Sequence, residues 1–298
     1  MGIQYWQTKH NWRWSYDNYF SPAVMSEIKN ALHADYIRTG FIPDWLQTEQ
    51  VAWRREDRIM DNACNAGLSV MVIVPTGDDR LGVDDLGATV RAFFARYTAR
   101  ERGCGIIAEI GNEENLRMSP GAYAKIFELL APEIRELGVA VVTAGTSGLD
   151  DRWTRGVSDS IAGWCPAEDR IAGTCSLPSA YALHPYNIAP NRMQSTIERM
   201  ASSLDRAGSG IYITEYGSDN PKTLAGAIEA LAAQPAVTVY EYKCQPTDDS
   251  CKYGLKGNPS LYGAVQNAFA YVQAHRADSA TSPFSTVSPM PEGSPLAP

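Results

Sequence analysis

Long apolar runs and concentrated positive charge are both absent from this sequence of 298 residues. No apolar stretch reaches the roughly 18 residues of a membrane-spanning helix, so we predict no membrane span. The N-terminus has neither the basic nor the apolar segment of a signal peptide, and we identify no signal peptide in it. Lysine and arginine number 26 against 34 acidic residues, for a net charge of −8. Because the basic residues form no stripe, we expect no nucleic-acid partner.

Motifs for metal, nucleotide and serine chemistry are missing as well. The sequence contains no HExxH, and its four histidines lie far apart, so we expect no metal ion. These histidines are His10, His33, His184 and His275. No GxGxxG or Walker glycine loop follows the first predicted strand, and we expect no cofactor. No GxSxG serine nucleophile occurs either. Any catalysis must therefore use other side chains.

The six cysteines show neither a CxxC motif nor the spacing of zinc ligands. Two pairs bracket short loops, and the other two cysteines just precede the third and fourth predicted strands, on the N-terminal face of a sheet. The sequence therefore predicts three disulfides: Cys165–Cys175, Cys244–Cys251 and Cys64–Cys104. Disulfides indicate an oxidising compartment, and we expect an extracellular or periplasmic protein. Six reduced thiols in a cytoplasmic protein are the alternative.

Short β-branched runs alternate with helical segments along the chain. Eight such runs recur at intervals of roughly 33 residues and predict eight strands. Alternating strands and helices build a parallel sheet, and eight such units close into a (β/α)8 TIM barrel. We therefore predict an α/β fold with a single barrel domain over residues 1–278. Residues 279–298 are rich in Ser and Pro, and we predict a disordered tail or linker stub there. An open doubly wound sheet is the alternative.

Two of the predicted strands end in a glutamate. Glu113 follows the fourth strand in the segment Gly111-Asn112-Glu113, and Glu215 ends the seventh. An ionised carboxylate is rarely buried without partners, and the C-terminal strand ends of a barrel meet at one face. The two carboxyl groups are therefore predicted to face one cleft. The alternative is two independent glutamates that make local hydrogen bonds.

The placement of these glutamates resembles clan A of the glycoside hydrolases, and the resemblance covers roughly residues 3–276. It implies a (β/α)8 enzyme that cleaves glycosidic bonds with retention of configuration. In that clan the Asn-Glu pair after the fourth strand supplies the acid/base, which would be Glu113. The glutamate of the seventh strand is the nucleophile, which would be Glu215. The resemblance thus implies a carbohydrate substrate, and we expect a monomer.

Other strand ends match the clan, and one departs from it. Arg38 ends the second strand, where the clan has an arginine near the nucleophile. His184 and Tyr186 end the sixth, where the clan often has residues that line the cleft. Clan members usually have a tryptophan platform after the eighth strand, whereas this chain has Tyr240 and Tyr242 there. We expect a tyrosine to take the platform role.

Retaining hydrolysis sets different demands on the two carboxyl groups. Glu113 must begin protonated to assist the leaving group, whereas Glu215 must be ionised to attack, so their environments should differ. A guanidinium at Arg38 would favour the anion of Glu215, and Tyr186 could donate a hydrogen bond to it. Asn112 could bind the sugar 2-hydroxyl, a contact that strengthens in the transition state.

Structural roles compete with these assignments. Arg38 could form an ion pair with any acid at a strand end, and His184 could be a core histidine whose hydrogen bonds are satisfied. Glu114 is a rival for the acid/base role. Glu109 alternates with apolar neighbours inside the fourth strand, and we interpret it as structural.

Aromatic residues are concentrated in residues 9–20, a predicted loop that includes Trp12 and Trp14. Such faces stack on sugar rings or plug a core. Together with Trp45 and Trp53 they could line several subsites, which favours an endo-acting enzyme on a poly- or oligosaccharide. An exo-acting glycosidase and a catalytically silent carbohydrate-binding barrel are the alternatives. A metal-dependent barrel hydrolase would need His and Asp ligands at strand ends, and the sequence does not show them.

Overall fold

The computed structural model describes residues 1–4, 19–43, 46, 50–77, 83–98, 104–166, 168–169, 175, 177–186, 188–204, 210–240, 242–243 and 252–275. Several predictions concern residues outside these ranges: the tail at 279–298, the tryptophans Trp12, Trp14 and Trp45, and the Cys244–Cys251 disulfide.

Strands and helices alternate through the described ranges. The strands are β1 (Gly2–Gln4), β2 (Tyr36–Gly40), β3 (Ser69–Val74), β4 (Ile106–Ile110), β5 (Ala140–Thr143), β6 (Ala180–His184), β7 (Gly210–Tyr216) and β8 (Val237–Val239). A two-residue strand, Thr146–Ser147, continues beyond β5. The helices are α1 (Pro22–Asn30), α2 (Gln50–Asn65), α3 (Val83–Thr98), α4 (Pro120–Arg135), α5 (Asp151–Trp164), α6 (Pro190–Leu204), α7 (Pro221–Ala230) and α8 (Pro259–His275).

The strands form one closed, parallel barrel. Neighbours in sequence are neighbours in the sheet, and β1 pairs with both β2 and β8, so that Ile3 lies opposite Ile37 and Val239. Between β5 and β6 the direct pairing is short, and strand Thr146–Ser147 continues it against β6. The predicted (β/α)8 TIM barrel is therefore confirmed.

The barrel interior is apolar at one end and polar at the other. Towards the start of the strands, the inward side chains form an apolar cluster. Its buried members are Tyr36, Met71, Ile107, Val142, Ala180, Tyr212 and Ala236. Two residues further along β2 and β4 stand Arg38 and Glu109, which face the same way because side chains alternate along a strand. The polar end is therefore the C-terminal face, where barrel enzymes carry their sites.

Side-chain caps mark where several helices begin. Ser21 accepts a hydrogen bond from the Val24 N–H at 3.4 Å, and Ser119 accepts one from Ala122 at 3.3 Å. Proline follows each of these serines at the first helical position, where its missing N–H costs nothing. Because helices of a barrel start at its C-terminal face, these caps fix where the loops around the site end. No helix in the described ranges is long and apolar enough to cross a membrane.

Two of the three predicted disulfides are present. Cys165 is bonded to Cys175 with Cα atoms 5.6 Å apart, and Cys64 is bonded to Cys104 with Cα atoms 5.3 Å apart. The second bridge joins the segments that lead into β3 and β4, which are neighbours in the barrel. It therefore closes a loop of the chain across adjacent βα units.

The two bridges should differ in their contribution to stability. Loop-closure entropy grows with the separation of the cysteines, which is 40 residues for Cys64–Cys104 and 10 for Cys165–Cys175. Replacing both cysteines by alanine should therefore cost about 4 kcal/mol at the first bridge and about 3 kcal/mol at the second. Urea unfolding of the two double variants measures the difference. A larger loss at Cys165–Cys175 would contradict this account.

Candidate active site

A buried arginine organises the polar end of the barrel. The Arg38 Nε donates to Glu109 Oε2 at 2.6 Å, and Nη1 donates to Glu215 Oε1 at 2.6 Å and to Gln4 Oε1 at 2.6 Å. Its Nη2 donates to Asn112 Oδ1 at 2.8 Å. Burial lowers the pKa of Arg38, but the carboxylates of Glu109 and Glu215 raise it by more. A permanent cation therefore joins β1, β2, β7 and the end of β4.

Glu109 serves as an acceptor on both of its oxygens. Oε2 accepts from Arg38, while Oε1 accepts from the Gly145 N–H at 3.1 Å and from the Thr214 hydroxyl at 2.8 Å. The side chain is fully buried. Glu109 thus orients Arg38 from below, and this geometry supports the interpretation of Glu109 as structural.

The turn after β4 presents Glu113 to the cleft. Gly111 has a φ of 86°, and Glu113 itself has a left-handed conformation with φ 55° and ψ 38°. A left-handed non-glycine residue costs on the order of 1–3 kcal/mol and is often found at functional sites. The Glu113 N–H donates to the Gly145 carbonyl at 2.8 Å, which holds the turn in place. The Glu113 side chain remains 26% exposed.

Glu215 lies in a different environment, since its side chain is only 6% exposed. Burial raises its pKa, but the positive charge of Arg38, 2.6 Å from Oε1, and the hydrogen bond from Tyr186 lower the pKa by more. The Tyr186 hydroxyl donates to Oε2 at 2.9 Å. Burial, and then the charge of Glu215, raise the pKa of Tyr186, so this phenol keeps its proton. The surroundings therefore favour the anionic form of Glu215.

His184 stands between the two glutamates and is fully buried. Its Nδ1 lies 3.2 Å from Glu113 Oε1 and 3.6 Å from Glu215 Oε2. A carboxylate oxygen of Glu113 and one of Glu215 lie within 4.8 Å of each other and of a His184 ring nitrogen. These three are the one group of acidic and imidazole side chains in the described ranges with spacing suited to a cation. The ion pair of Glu215 with Arg38 opposes a metal ion there, because a second cation would have to share that carboxylate.

Most of the predicted site residues come together at this face. The set comprises Arg38, Asn112, Glu113, His184, Tyr186 and Glu215. The ring centroid of Tyr240 lies 6.5 Å from that of Tyr186, so Tyr240 flanks the group. The structure thus places both glutamates at one barrel mouth.

Tyr242 is an exception. It is 1% exposed and belongs to the hydrophobic core rather than to the cleft. Burial, and then the nearby carboxylate of Glu27 in α1, raise its pKa, and Lys256 Nζ lies 5.9 Å from its ring centroid. This side chain therefore lies near α1 rather than at the barrel mouth. The expectation that Tyr242 contacts a substrate is therefore corrected.

Two further candidates lie apart from the paired glutamates. Glu114 is 1% exposed, and its Oε1 accepts from the Thr76 hydroxyl and from Arg117, each at 2.8 Å. It ties the loop after β3 to the turn after β4. Trp53 packs in the helical layer, with its ring centroid 6.5 Å from that of Phe93. Neither side chain joins the group around Glu215.

Tyr253 adjoins the site and is not among the site residues that we selected from the sequence. Its ring centroid lies 6.2 Å from that of Tyr186 and 6.3 Å from that of Tyr240. A Cβ at Gly217 would lie 3.2 Å from the Tyr186 ring and 3.4 Å from Tyr253 Cγ, so glycine lets these rings approach β7. The lack of a tryptophan after β8 is a sequence signal that directs attention to the other aromatic residues of that segment, but it does not show which of them reaches the site.

Solved structures share the fold. A GH39 β-xylosidase from Caulobacter crescentus is 17% identical with a TM-score of 0.66, over 91% of this chain and 70% of that one. GH5_18 from Streptomyces cattleya, in complex with GlcNAc, is 14% identical with a TM-score of 0.64, over 93% and 81%. The catalytic domain of the Thermobifida fusca endoglucanase Cel5A is 20% identical with a TM-score of 0.60, over 91% of both chains.

These likenesses establish that the chain has the barrel fold found in glycoside hydrolases of families 39 and 5. No model of a protein family matches the sequence, and no curated protein matches it either. The fold is therefore shared at low sequence identity.

Removing Arg38 should destabilise the protein strongly. Arg38→Met leaves Glu109 and Glu215 buried without a cation, which should cost about 3–5 kcal/mol at pH 7. Because the folded-state pKa of Glu215 lies below its ordinary value of 4.5, the stability that Glu215 contributes is present above that value. It is lost as the pH falls through the folded-state pKa. The difference between wild type and variant should therefore shrink in acid, as urea unfolding at several pH values can measure.

Arg91 provides the matched control. It pairs with Glu133 and Glu136 on the surface and is 45% exposed. Arg91→Met should leave the urea midpoint unchanged, since water screens this pair. Equal losses from the two substitutions, or a loss at Arg38 that grows in acid, would contradict the ion network described above.

Proposed function

We propose that the protein is a retaining glycoside hydrolase that cleaves a poly- or oligosaccharide by double displacement. The observation that carries this proposal is that one carboxylate oxygen of Glu113 and one of Glu215 lie within 4.8 Å of each other at the barrel mouth. Retaining enzymes hold their carboxyl groups about 5–5.5 Å apart, whereas inverting enzymes need about 6.5–9.5 Å to admit a water. The fold shared with known glycoside hydrolases supports the same reaction class.

Glu215 is proposed as the nucleophile. Its Oε1 is held by Arg38 and its Oε2 by Tyr186, so the carboxylate is ionised and fixed in orientation. In the first step one of its oxygens attacks the anomeric carbon, and the bond to the leaving oxygen breaks. A glycosyl ester of Glu215 results.

Glu113 is proposed as the acid/base. In the first step its proton passes to the glycosidic oxygen as that oxygen leaves. In the second step the Glu113 carboxylate takes a proton from water, the resulting oxygen attacks the anomeric carbon, and Glu215 is released. The partial exposure of Glu113 lets the leaving group depart and water enter, whereas Glu215 is shielded from solvent.

Asn112 and Tyr186 are proposed to position the sugar. Because Asn112 Oδ1 accepts from Arg38, its side-chain NH2 group is the donor that remains for a ligand, and a 2-hydroxyl is the proposed acceptor. Arg38 contributes by fixing both Asn112 and Glu215. The contact of Asn112 with the 2-hydroxyl would strengthen as the sugar ring approaches the oxocarbenium-like transition state.

More specifically, we propose that the protein is endo-acting and works in an oxidising compartment. The two disulfides support an extracellular or periplasmic location. Endoglucanases and a β-xylosidase both appear among the structural neighbours, so exo-action is the alternative. Products from a panel of polysaccharides decide this: a rapid fall in viscosity with mixed oligosaccharides indicates endo-action, and steady release of one small sugar indicates exo-action. A silent carbohydrate-binding barrel would bind a glycan without cleaving it.

Substitution of the two glutamates should separate their roles. Glu215→Ala should abolish turnover on every substrate. Glu113→Ala should still form the glycosyl-enzyme from an aryl glycoside with a good leaving group and then stall, because no base activates water. Azide should restore turnover in both variants. NMR of the glycosyl azides should show retained configuration from Glu113→Ala and inverted configuration from Glu215→Ala.

Glu128, exposed on α4, supplies the control, and Glu128→Ala should keep full activity. Near-normal rates for both site variants on a natural glycan would show that the active site has been misplaced. Azide products with exchanged configurations would show that the pair is right and the roles are reversed.

The tyrosines beside the nucleophile are proposed as the sugar platform in place of the missing tryptophan. Tyr253→Ala should raise KM about tenfold, or about 1.4 kcal/mol, while Tyr253→Phe keeps the ring and the wild-type KM. Tyr271, which is 47% exposed on α8 and stacks on His275, is the control. Steady-state kinetics on the substrate from the polysaccharide panel would measure this. An unchanged KM in Tyr253→Ala would remove Tyr253 from the platform.

A further inference from the structure

Beneath the two glutamates, four side chains form a continuous line of hydrogen bonds. Glu109 Oε1 lies 2.8 Å from Thr214 Oγ1, Thr214 Oγ1 lies 3.0 Å from His184 Nε2, and His184 Nδ1 lies 3.2 Å from Glu113 Oε1. The line begins at a carboxylate bonded to Arg38 and ends at the proposed acid/base. Glu109, Thr214 and His184 are all fully buried, so water does not compete for these contacts.

Hydrogen counting along this line fixes the form of His184. An ionised carboxylate can only accept, and Glu109 already accepts from Arg38 and the Gly145 N–H. The Thr214 hydroxyl must therefore donate its single hydrogen to Glu109. Its oxygen can then only accept from His184, so Nε2 carries a hydrogen. In the neutral imidazole, Nδ1 is left with a lone pair that faces Glu113.

The fold leaves room for this contact at a specific glycine. A Cβ at Gly145 would lie 2.1 Å from His184 Nε2 and 2.7 Å from Thr214 Oγ1. The Gly145 N–H donates to Glu109, and its carbonyl accepts from the Glu113 N–H. Gly145 thus bonds to Glu109 and Glu113 at the two ends of the line, and its lack of a Cβ leaves space for Thr214 and His184 between them.

We propose that Thr214 is a positioning residue that holds neutral His184 as the Nε2–H tautomer, so that the Nδ1 lone pair accepts the proton of Glu113. The role of Glu113 as acid rests on the proposed function, whereas the tautomer does not. A hydrogen bond to the neutral carboxyl favours that form, which is the form needed for the first step. The opposite tautomer would donate to Glu113 and favour its anion.

The charged groups that face His184 lie on its Nδ1 side. Glu113 and Glu215 face Nδ1, and Tyr186 and Arg38 each bind Glu215. Without the Thr214 oxygen, an Nε2–H would lose the acceptor that lies 3.0 Å away, whereas an Nδ1–H would still face two carboxylates. Thr214 is thus the contact that decides between the tautomers.

Two-bond ¹H–¹⁵N spectra of the imidazoles test the tautomer without any substrate. The chain has only four histidines, and a His184→Gln variant identifies the His184 signals by their loss. Wild type should show the Nε2–H pattern, and Thr214→Val should shift His184 to the Nδ1–H form or to imidazolium. An Nδ1–H pattern in wild type, or an unchanged pattern in Thr214→Val, would overturn the proposal.

Kinetics test the consequence for Glu113. Thr214→Val should lower kcat/KM about 10- to 100-fold on substrates with poor leaving groups, which need the acid. On aryl glycosides with good leaving groups the loss should stay below about threefold. Thr214→Ser, which keeps the hydroxyl, should restore both rates and the wild-type tautomer. Equal losses on both kinds of substrate would indicate a merely structural role.

Thr238 provides the matched control, since it is a buried threonine of the barrel interior whose hydroxyl bonds to Tyr36 at 2.8 Å. Thr238→Val should leave the His184 signals and the leaving-group dependence unchanged. A shift of the His184 tautomer in this control would overturn the specific role of Thr214. If wild type hydrolyses no glycoside, the proposed function fails, while the spectra still decide the tautomer.

Discussion

The interaction on which the site depends is the buried contact of Arg38 with Glu109 and Glu215. One guanidinium serves two carboxylates away from water, and removal of Arg38 would leave both negative charges without a cation in a medium that cannot stabilise them. The strands that supply these three side chains must therefore bring them to the same level of the barrel, within hydrogen-bonding distance of one another. Apolar packing below them makes that convergence possible, because the barrel interior is filled before the polar layer begins.

The contact with Arg38 also gives Glu215 a chemical environment different from that of Glu113. Glu215 binds the cation and a phenol in a closed environment, which favours its anion. Glu113 stands on a left-handed turn beside His184 and reaches solvent. Two carboxyl groups of one residue type thus receive different surroundings, which is how one site can hold an acid and a nucleophile at the same pH.

Much of this arrangement was predictable from the sequence, because strand ends of a barrel share one face. That rule placed Glu113 and Glu215 together, the resemblance to clan A added Arg38 and His184, and the adjacency of β3 and β4 predicted the Cys64–Cys104 bridge. The positions of Tyr242 and Tyr253 were not predictable, because the segment after β8 has no periodicity to show which side chains turn inward. The pairing of Glu109 with Thr214 was also hidden, since alternation indicates a face but not a partner. These contacts also depend on Gly145. The sequence does not show that this position requires glycine, because the requirement comes from the position of the His184 ring.

The central claim is that Glu113 and Glu215 act as a retaining pair. The most direct test is the configuration of the sugar that wild-type enzyme first releases, followed by ¹H NMR before mutarotation mixes the anomers. The substrate is the glycan that the polysaccharide panel identifies. Two displacements at one carbon predict that the first product has the same anomeric configuration as the substrate. An inverted first product would contradict the account, because it would require a single displacement by water.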